Sequence, residues 1–172
     1  MTINELLIQL DLQPENRIDI LEDVARKCCK GYFFVDSNDD HCYLFDENGN
    51  EDDIKKIKNI ENYAFWSCQS LTSIVIPNSV ESINFGAFEW CESLKSIIIP
   101  NSVESIGNEA FLGCKSLKSV VIPDSVKSIG NRVFWSCNNL KSLTFKGKTI
   151  DQVKKMIYYP FGIENESIIK CI

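Results

Sequence analysis

Eight cysteines and a single histidine are the side chains of this sequence best suited to chemistry. Thiolate and imidazole both serve as nucleophile, proton carrier or metal ligand. Four of the cysteines, Cys68, Cys91, Cys114 and Cys137, recur every 23 residues. Stacked in register, such thiols would lie about 4.8 Å apart, which suits redox chemistry or a metal. The plainer reading is that cysteine is a small apolar residue filling a repeated core. The chain contains no Cys-x-x-Cys pair, which favours that second reading.

Cys28, Cys29, His41 and Cys42 have the residue types of a zinc site, or of a thiol nucleophile served by His41. Their spacing argues against zinc, because paired ligands normally stand two to four residues apart. His41 and Cys42 on a strand would also point to opposite faces. In "DSNDDHCYLFDE", Asp36, Asn38, Asp40 and Glu47 fall at the first, third, fifth and twelfth positions of a calcium loop. His41 then occupies the sixth position, where that loop needs glycine, so an exposed hairpin turn is the better reading. No Gly-x-Ser-x-Gly motif or phosphate-cradling glycine loop occurs. The expectation is a protein with no catalytic residues, no metal and no cofactor.

The elements that carry these residues follow from a repeat. "SLTSIVIPNSVESIN", "SLKSIIIPNSVESIG" and "SLKSVVIPDSVKSIG" begin at Ser70, Ser93 and Ser116, and an eroded copy, "NLKSLTFKGKT", follows. Phe65, Phe88, Phe111 and Phe134 form one column; Leu71, Leu94, Leu117 and Leu140 form another. Apolar columns at a fixed period mean that each unit stacks like side chains on its neighbours', as in a solenoid. "SIVIP" alternates and is β-branched, so it reads as a short strand stopped by proline. Pro77-Asn78, Pro100-Asn101 and Pro123-Asp124 suit a tight turn. Gly107 and Gly130 are expected at positive φ, with Asn84 tolerating one in the same column. The "AF..C" stretch is expected to form a short helical turn behind the strand.

The fold class expected is α+β: a solenoid of four 23-residue strand–turn–helix units between two caps. Residues 1–60 form an acidic α/β N-terminal cap, with helices through "ELLIQL" and "ENRIDILEDVARKCCK" and a hairpin of "YFFV" and "CYLF". Residues 61–149 hold the repeats. Residues 150–172 form a helical C-terminal cap, where Thr149 and Gln152 have capping-box spacing before "IDQVKKMIYY" and "SIIKCI" adds a last strand.

The columns "IG..AF..C.SL.SI.IP.SV" resemble the BspA-like class of leucine-rich repeat, found in bacterial and some protist and phage proteins. The resemblance covers residues 60 to 149 and implies a solenoid fold that binds protein through its stacked surface. Many members of that class are surface adhesins. The tail "YPFGI…SIIKC" is similar to that of short cytosolic or phage-borne proteins with these repeats.

What is left for function is surface. Ile74 and Ile76 point inward on their strand, so Ser73 and Val75 face out. The outward column is then Val75, Ile98, Val121 and Thr144, flanked by the basic column Lys95, Lys118 and Lys141. Such a stripe reads as a partner contact or as β-propensity alone. Trp66, Trp90 and Trp135 lie in the "AF..C" turns, as shields of the core or as interface anchors.

Apolar residues make up 44% and charged residues 24%, a globular balance, and no apolar run is long enough to span a membrane. The net charge of −6 argues against direct nucleic-acid binding. It is unevenly spread: eight acids and no Lys or Arg lie between Asp36 and Asp53. Asp36, Asp39, Asp40, Asp46 and Glu47 are therefore candidates for an acidic contact with a basic groove. The first residues do not read as a secretory signal, so a cytosolic setting is expected. The function expected is a non-enzymatic binding module for a protein partner. One concrete form is a phage-type inhibitor of a nucleic-acid enzyme or defence system, anti-CRISPR in type. The alternatives are an adhesin fragment, or a thiol or zinc enzyme around Cys28, Cys29 and His41.

Overall fold

Each 23-residue unit closes one coil of a β-solenoid, and successive coils stack through parallel strand pairs. The computed structural model describes residues 31–35, 42–46, 58–69 and 71–172, with backbone alone for the first two segments and Val75. Strands β1 (Gly31–Val35) and β2 (Cys42–Asp46) form the expected antiparallel hairpin, with Val35 opposite Cys42. The two N-terminal helices expected from the sequence lie outside the described residues.

Every coil carries two short strands rather than one. The longer set is β4 (Ser73–Val75), β6 (Ser96–Ile98), β8 (Ser119–Ile122) and β10 (Ser142–Phe145). The shorter set is β3 (Asn59–Ile60), β5 (Ser82–Ile83), β7 (Ser105–Ile106) and β9 (Ser128–Ile129), which form one parallel sheet in that order. β2 runs beside β4 at the start of the stack. At the other end β11 (Ile169–Cys171) pairs in parallel with β10, Lys170 opposite Thr144.

Between the two strands the expected turns are present: Val80, Val103 and Val126 donate their N–H to the carbonyls of Pro77, Pro100 and Pro123. The expected helical turn is not. Across residues 61–68 the N–H groups alternate in destination. Ala64, Trp66 and Cys68 bond three residues back, to Glu61, Tyr63 and Phe65, while Tyr63, Phe65 and Ser67 bond across to Phe85, Ala87 and Glu89 of the next coil. A helix would direct all of these donors to its own carbonyls; here half of them tie coils together. The geometry needs left-handed residues at two columns, Tyr63, Gly86, Glu109 and Arg132 (φ 53° to 58°) and Ser67, Trp90, Gly113 and Ser136 (φ 58° to 72°). The fold is thus mostly strand and turn, not α+β.

Gly107 and Gly130, expected at positive φ, lie outside both left-handed columns. They are glycine because the coils touch there: a Cβ at Gly130 would stand 2.4 Å from the Asn108 nitrogen, and one at Gly107 2.7 Å from the Asn84 carbonyl carbon.

The core is the stack itself. Phe65, Phe88, Phe111 and Phe134 are buried and near-parallel, their ring centroids 4.7, 5.3 and 5.7 Å apart. Beyond Thr149 the period fails. The helix expected over 150–159 is one short element, α1 (Ile150–Lys154), with the expected capping box between Thr149 and Gln152. Phe161 then fills the end of the stack against Phe145, and its carbonyl accepts the Phe134 N–H at 3.0 Å.

Candidate functional site

The cysteine column belongs to the core. Cys68, Cys91, Cys114 and Cys137 are buried free thiols. The Sγ of Cys91, Cys114 and Cys137 donates to the carbonyl of Phe65, Phe88 and Phe111 in the preceding coil, at 3.0, 3.2 and 3.1 Å. Burial pushes all three thiols up, Cys137 to about 12. The nucleophile and ligand form of cysteine is the thiolate, so this column is built to stay protonated. Among the described residues no group of three His, Cys, Asp or Glu side chains is placed to hold a metal ion. Cys28, Cys29 and His41 lie outside the described residues.

The face formed by the longer strands is different. Core residues Ile97, Val120 and Leu143 point inward, so the residues on either side of them along each strand point out. Ile98 is 67% exposed and Val121 42%, while Thr144 is half-buried, its Oγ1 3.3 Å from the Ser142 Oγ. Val75 holds the Ile98 register in β4. Lys95, Lys118 and Lys141 are exposed along the edge of this face. The structure therefore brings the predicted stripe and the predicted basic column together on one surface.

That surface has a charge pattern found nowhere else on the described coils. Elsewhere lysines are neutralised one coil away: Lys115 by Glu92 at 2.8 Å, Lys127 by Glu104 at 2.7 Å, Lys148 by Asp124 at 3.2 Å, and Lys58 by Glu81. Among the described residues no ion pair forms at Lys95, Lys118 or Lys141, and their strands carry no Asp or Glu. Lys170, exposed beside Thr144 on β11, extends the basic character and was missed because its offset from the repeat is not 23 residues.

The tryptophans divide. Trp66 and Trp135 are 44% and 42% exposed, with the Arg132 guanidinium 4.9 Å above the Trp135 ring. Trp90 instead covers Gly113, where a Cβ would stand 2.4 Å from its ring. Of the acidic candidates, Asp46 ends β2 opposite Gly31; Asp36, Asp39, Asp40 and Glu47 lie outside the described residues. No helix among the described residues is long and apolar enough to cross a membrane.

Comparison with known proteins agrees with this geometry. Residues 58–170 match the model of the BspA-type leucine rich repeat region in six copies. No curated protein matches the chain. Among solved structures, the T. pallidum leucine-rich repeat protein TpLRR is similar at 26% identity and a TM-score of 0.53, over 66% of this chain and 57% of its own. The pneumococcal vaccine antigen PcpA is similar at 26% identity and a TM-score of 0.52, over 69% of this chain and 26% of its own. A leucine-rich repeat protein from Eubacterium ventriosum matches at 28% identity with a TM-score of 0.49, over 67% of this chain and 27% of its own. The chain thus spans little more than half of one of these proteins and about a quarter of the others.

Proposed function

We infer that this chain, which belongs to the BspA-type leucine-rich repeat family, is a non-enzymatic module that occupies the surface of a partner protein. The observation that carries this reading is the long-strand face. Exposed Ile98 and Val121 lie beside Lys95, Lys118, Lys141 and Lys170, none of them ion-paired among the described residues and no carboxylate between them. An apolar stripe supplies contact area, and a single-sign border supplies orientation and rate of encounter. The partner is accordingly a protein with an acidic rim around an apolar patch.

The setting we propose is the cytosol, where buried and half-buried free thiols such as Cys171 stay reduced. A narrower version is a phage-type inhibitor, anti-CRISPR in kind, whose acidic residues 36–53 engage the basic groove of a nucleic-acid enzyme. Likeness to a vaccine antigen favours a second reading, an adhesin-like module at a cell surface.

The test is a capture experiment with two baits, the wild-type chain and the double variant Lys118→Glu, Val121→Glu. Both substitutions are exposed, so the thermal transition should not move. A partner held by the wild type in nuclease-treated lysate should be lost from the variant. Equal capture by both baits would remove the long-strand face as the site. Separate fractionation of bacterial cytosol and envelope would then say in which the partner resides.

A further inference from the structure

The short-strand sheet ends on an edge that the chain itself leaves open. In that sheet two carbonyls of each coil accept N–H groups from the next. Ile60, Ile83 and Ile106 accept from Asn84, Gly107 and Gly130 at 2.9, 2.7 and 2.9 Å. Lys58, Glu81 and Glu104 accept from Glu81, Glu104 and Lys127 at 2.7, 2.8 and 2.8 Å. The next acceptors in the series are the carbonyls of Ile129 and Lys127 on the last strand, β9. Neither receives a main-chain N–H from the described residues: where a further strand would run, the chain forms α1 instead, and the Val153 N–H turns back to Thr149 at 3.1 Å.

The space for that strand is present. A cleft of about 730 Å³ lies between the β9 segment Lys127–Gly130 and the wall made by Gln152 and residues 155–158, and it continues along the coil corners to Asn62. Its size is that of a small-ligand or short-peptide site. Lys127 and Lys155 line it, and no carboxylate does. Ile157 and Tyr158 on its wall are 76% and 53% exposed.

We propose that this cleft is a second binding site, which takes an extended acidic peptide segment as an added parallel strand on β9. Main-chain N–H groups of the peptide satisfy the Ile129 and Lys127 carbonyls, the mode in which sheet edges bind extended chains. The sequence suited to it is written in the repeat. The segment Val103-Glu104-Ser105-Ile106-Gly107 occupies the equivalent place in the preceding coil, and Glu104 pairs with Lys127. Placed on β9 in the register of β7 on β5, a Val-Glu-Ser-Ile-Gly peptide sets its serine opposite Ser128 and its isoleucine opposite Ile129. Its glycine N–H then meets the Ile129 carbonyl, as Gly107 meets Ile83. This site shares no residue with the long-strand face.

The experiment is a titration of the isotope-labelled full chain with acetyl-Val-Glu-Ser-Ile-Gly-amide, followed by amide resonances. Saturable shifts are expected at Lys127 to Gly130 and at Lys155 to Tyr158, and not at Ser96 to Ile98. The same peptide methylated on its glycine nitrogen, which lacks the N–H for Ile129, should bind at least tenfold more weakly. A peptide with lysine in place of glutamate should also bind more weakly. No saturable shift, equal binding of the methylated peptide, or shifts confined to the long-strand face would each overturn the proposal.

Discussion

The thiol of Cys114 donates to the carbonyl oxygen of Phe88, 26 residues earlier, at 3.2 Å, and that same oxygen already accepts the N–H of Cys91. One carbonyl thus joins two coils, and cysteine is the small apolar residue that brings a donor to it. Replacing Cys114 by alanine removes the donor and leaves a void. The cost expected is about 2 kcal/mol, combining a lost hydrogen bond with a small cavity. Cys114→Ser keeps a donor and should lose less. Urea unfolding of the two variants checks the order; serine costing more than alanine would show that the bond contributes nothing.

Alkali should unfold the protein through the same thiols. Burial holds the folded Cys137 thiol at about 12, and raises Cys91 and Cys114 as well. Unfolded cysteine ionises near about 8.5. Above that pH the unfolded chain binds fewer protons than the folded one, so stability is full below it and falls as the pH rises toward the folded value. Each thiol contributes a slope of up to about 1.4 kcal/mol per pH unit. Denaturation at a series of pH values from 8 to 11 should show this loss, and Cys137→Ala should flatten it by about a third.

Gly130→Ala is expected to destabilise by about 2–3 kcal/mol, the range of an overpacked core. The added methyl would meet backbone of the preceding coil at 2.4 Å, and backbone has no rotamer to escape into. A midpoint within error of wild type in chemical denaturation would show that the coils separate there easily.

The ion pairs between coils should matter far less. Lys127 and Glu104 lie 2.7 Å apart, with side chains 71% and 55% exposed. Glu104→Gln is expected to change stability by no more than about 0.5 kcal/mol, and less in high salt. A loss of several times that figure would give these ladders a structural weight that their exposure argues against.

Thr149→Ala should cost about 1 kcal/mol, because it breaks the capping box that starts α1. The local signature should be faster amide exchange from Asp151 to Lys154, with the Phe88 and Phe111 coils unaffected. Faster exchange spread evenly over all coils would mean that α1 clamps the whole stack.

What could be read from the sequence alone was whatever rests on local chemistry or on the 23-residue period. The Pro-Asn turns, the Thr149–Gln152 cap, the outward position of Ile98 and Val121 and the burial of the cysteine column are of that kind. The short strands were missed because two residues, such as Ser105 and Ile106, are too few to show alternation. The turn was mistaken for a helix because Phe65 and Cys68 stand three apart, a helical spacing. The deciding left-handed residues, Trp90 and Arg132 among them, carry no conformational signature in their type. Gly107 and Gly130 were assigned the wrong reason, since close approach between coils depends on a neighbour 23 residues away. Lys170 escaped because β11 is 26 residues, not 23, beyond its partner positions on β10.

The alternating turns also give the molecule a direction in time. In every coil the N–H groups of the inner turn reach forward, Phe65 to Ala87, Phe88 to Ala110, Phe111 to Val133 and Phe134 to Phe161. A nascent chain leaving the ribosome therefore cannot finish any turn until the following coil has emerged to receive it. The last of these forward bonds waits for Phe161, which lies beyond the final repeat. Folding during synthesis must trail the exit tunnel by one whole coil, and a transcript cut short anywhere in the repeats leaves its final turn without acceptors.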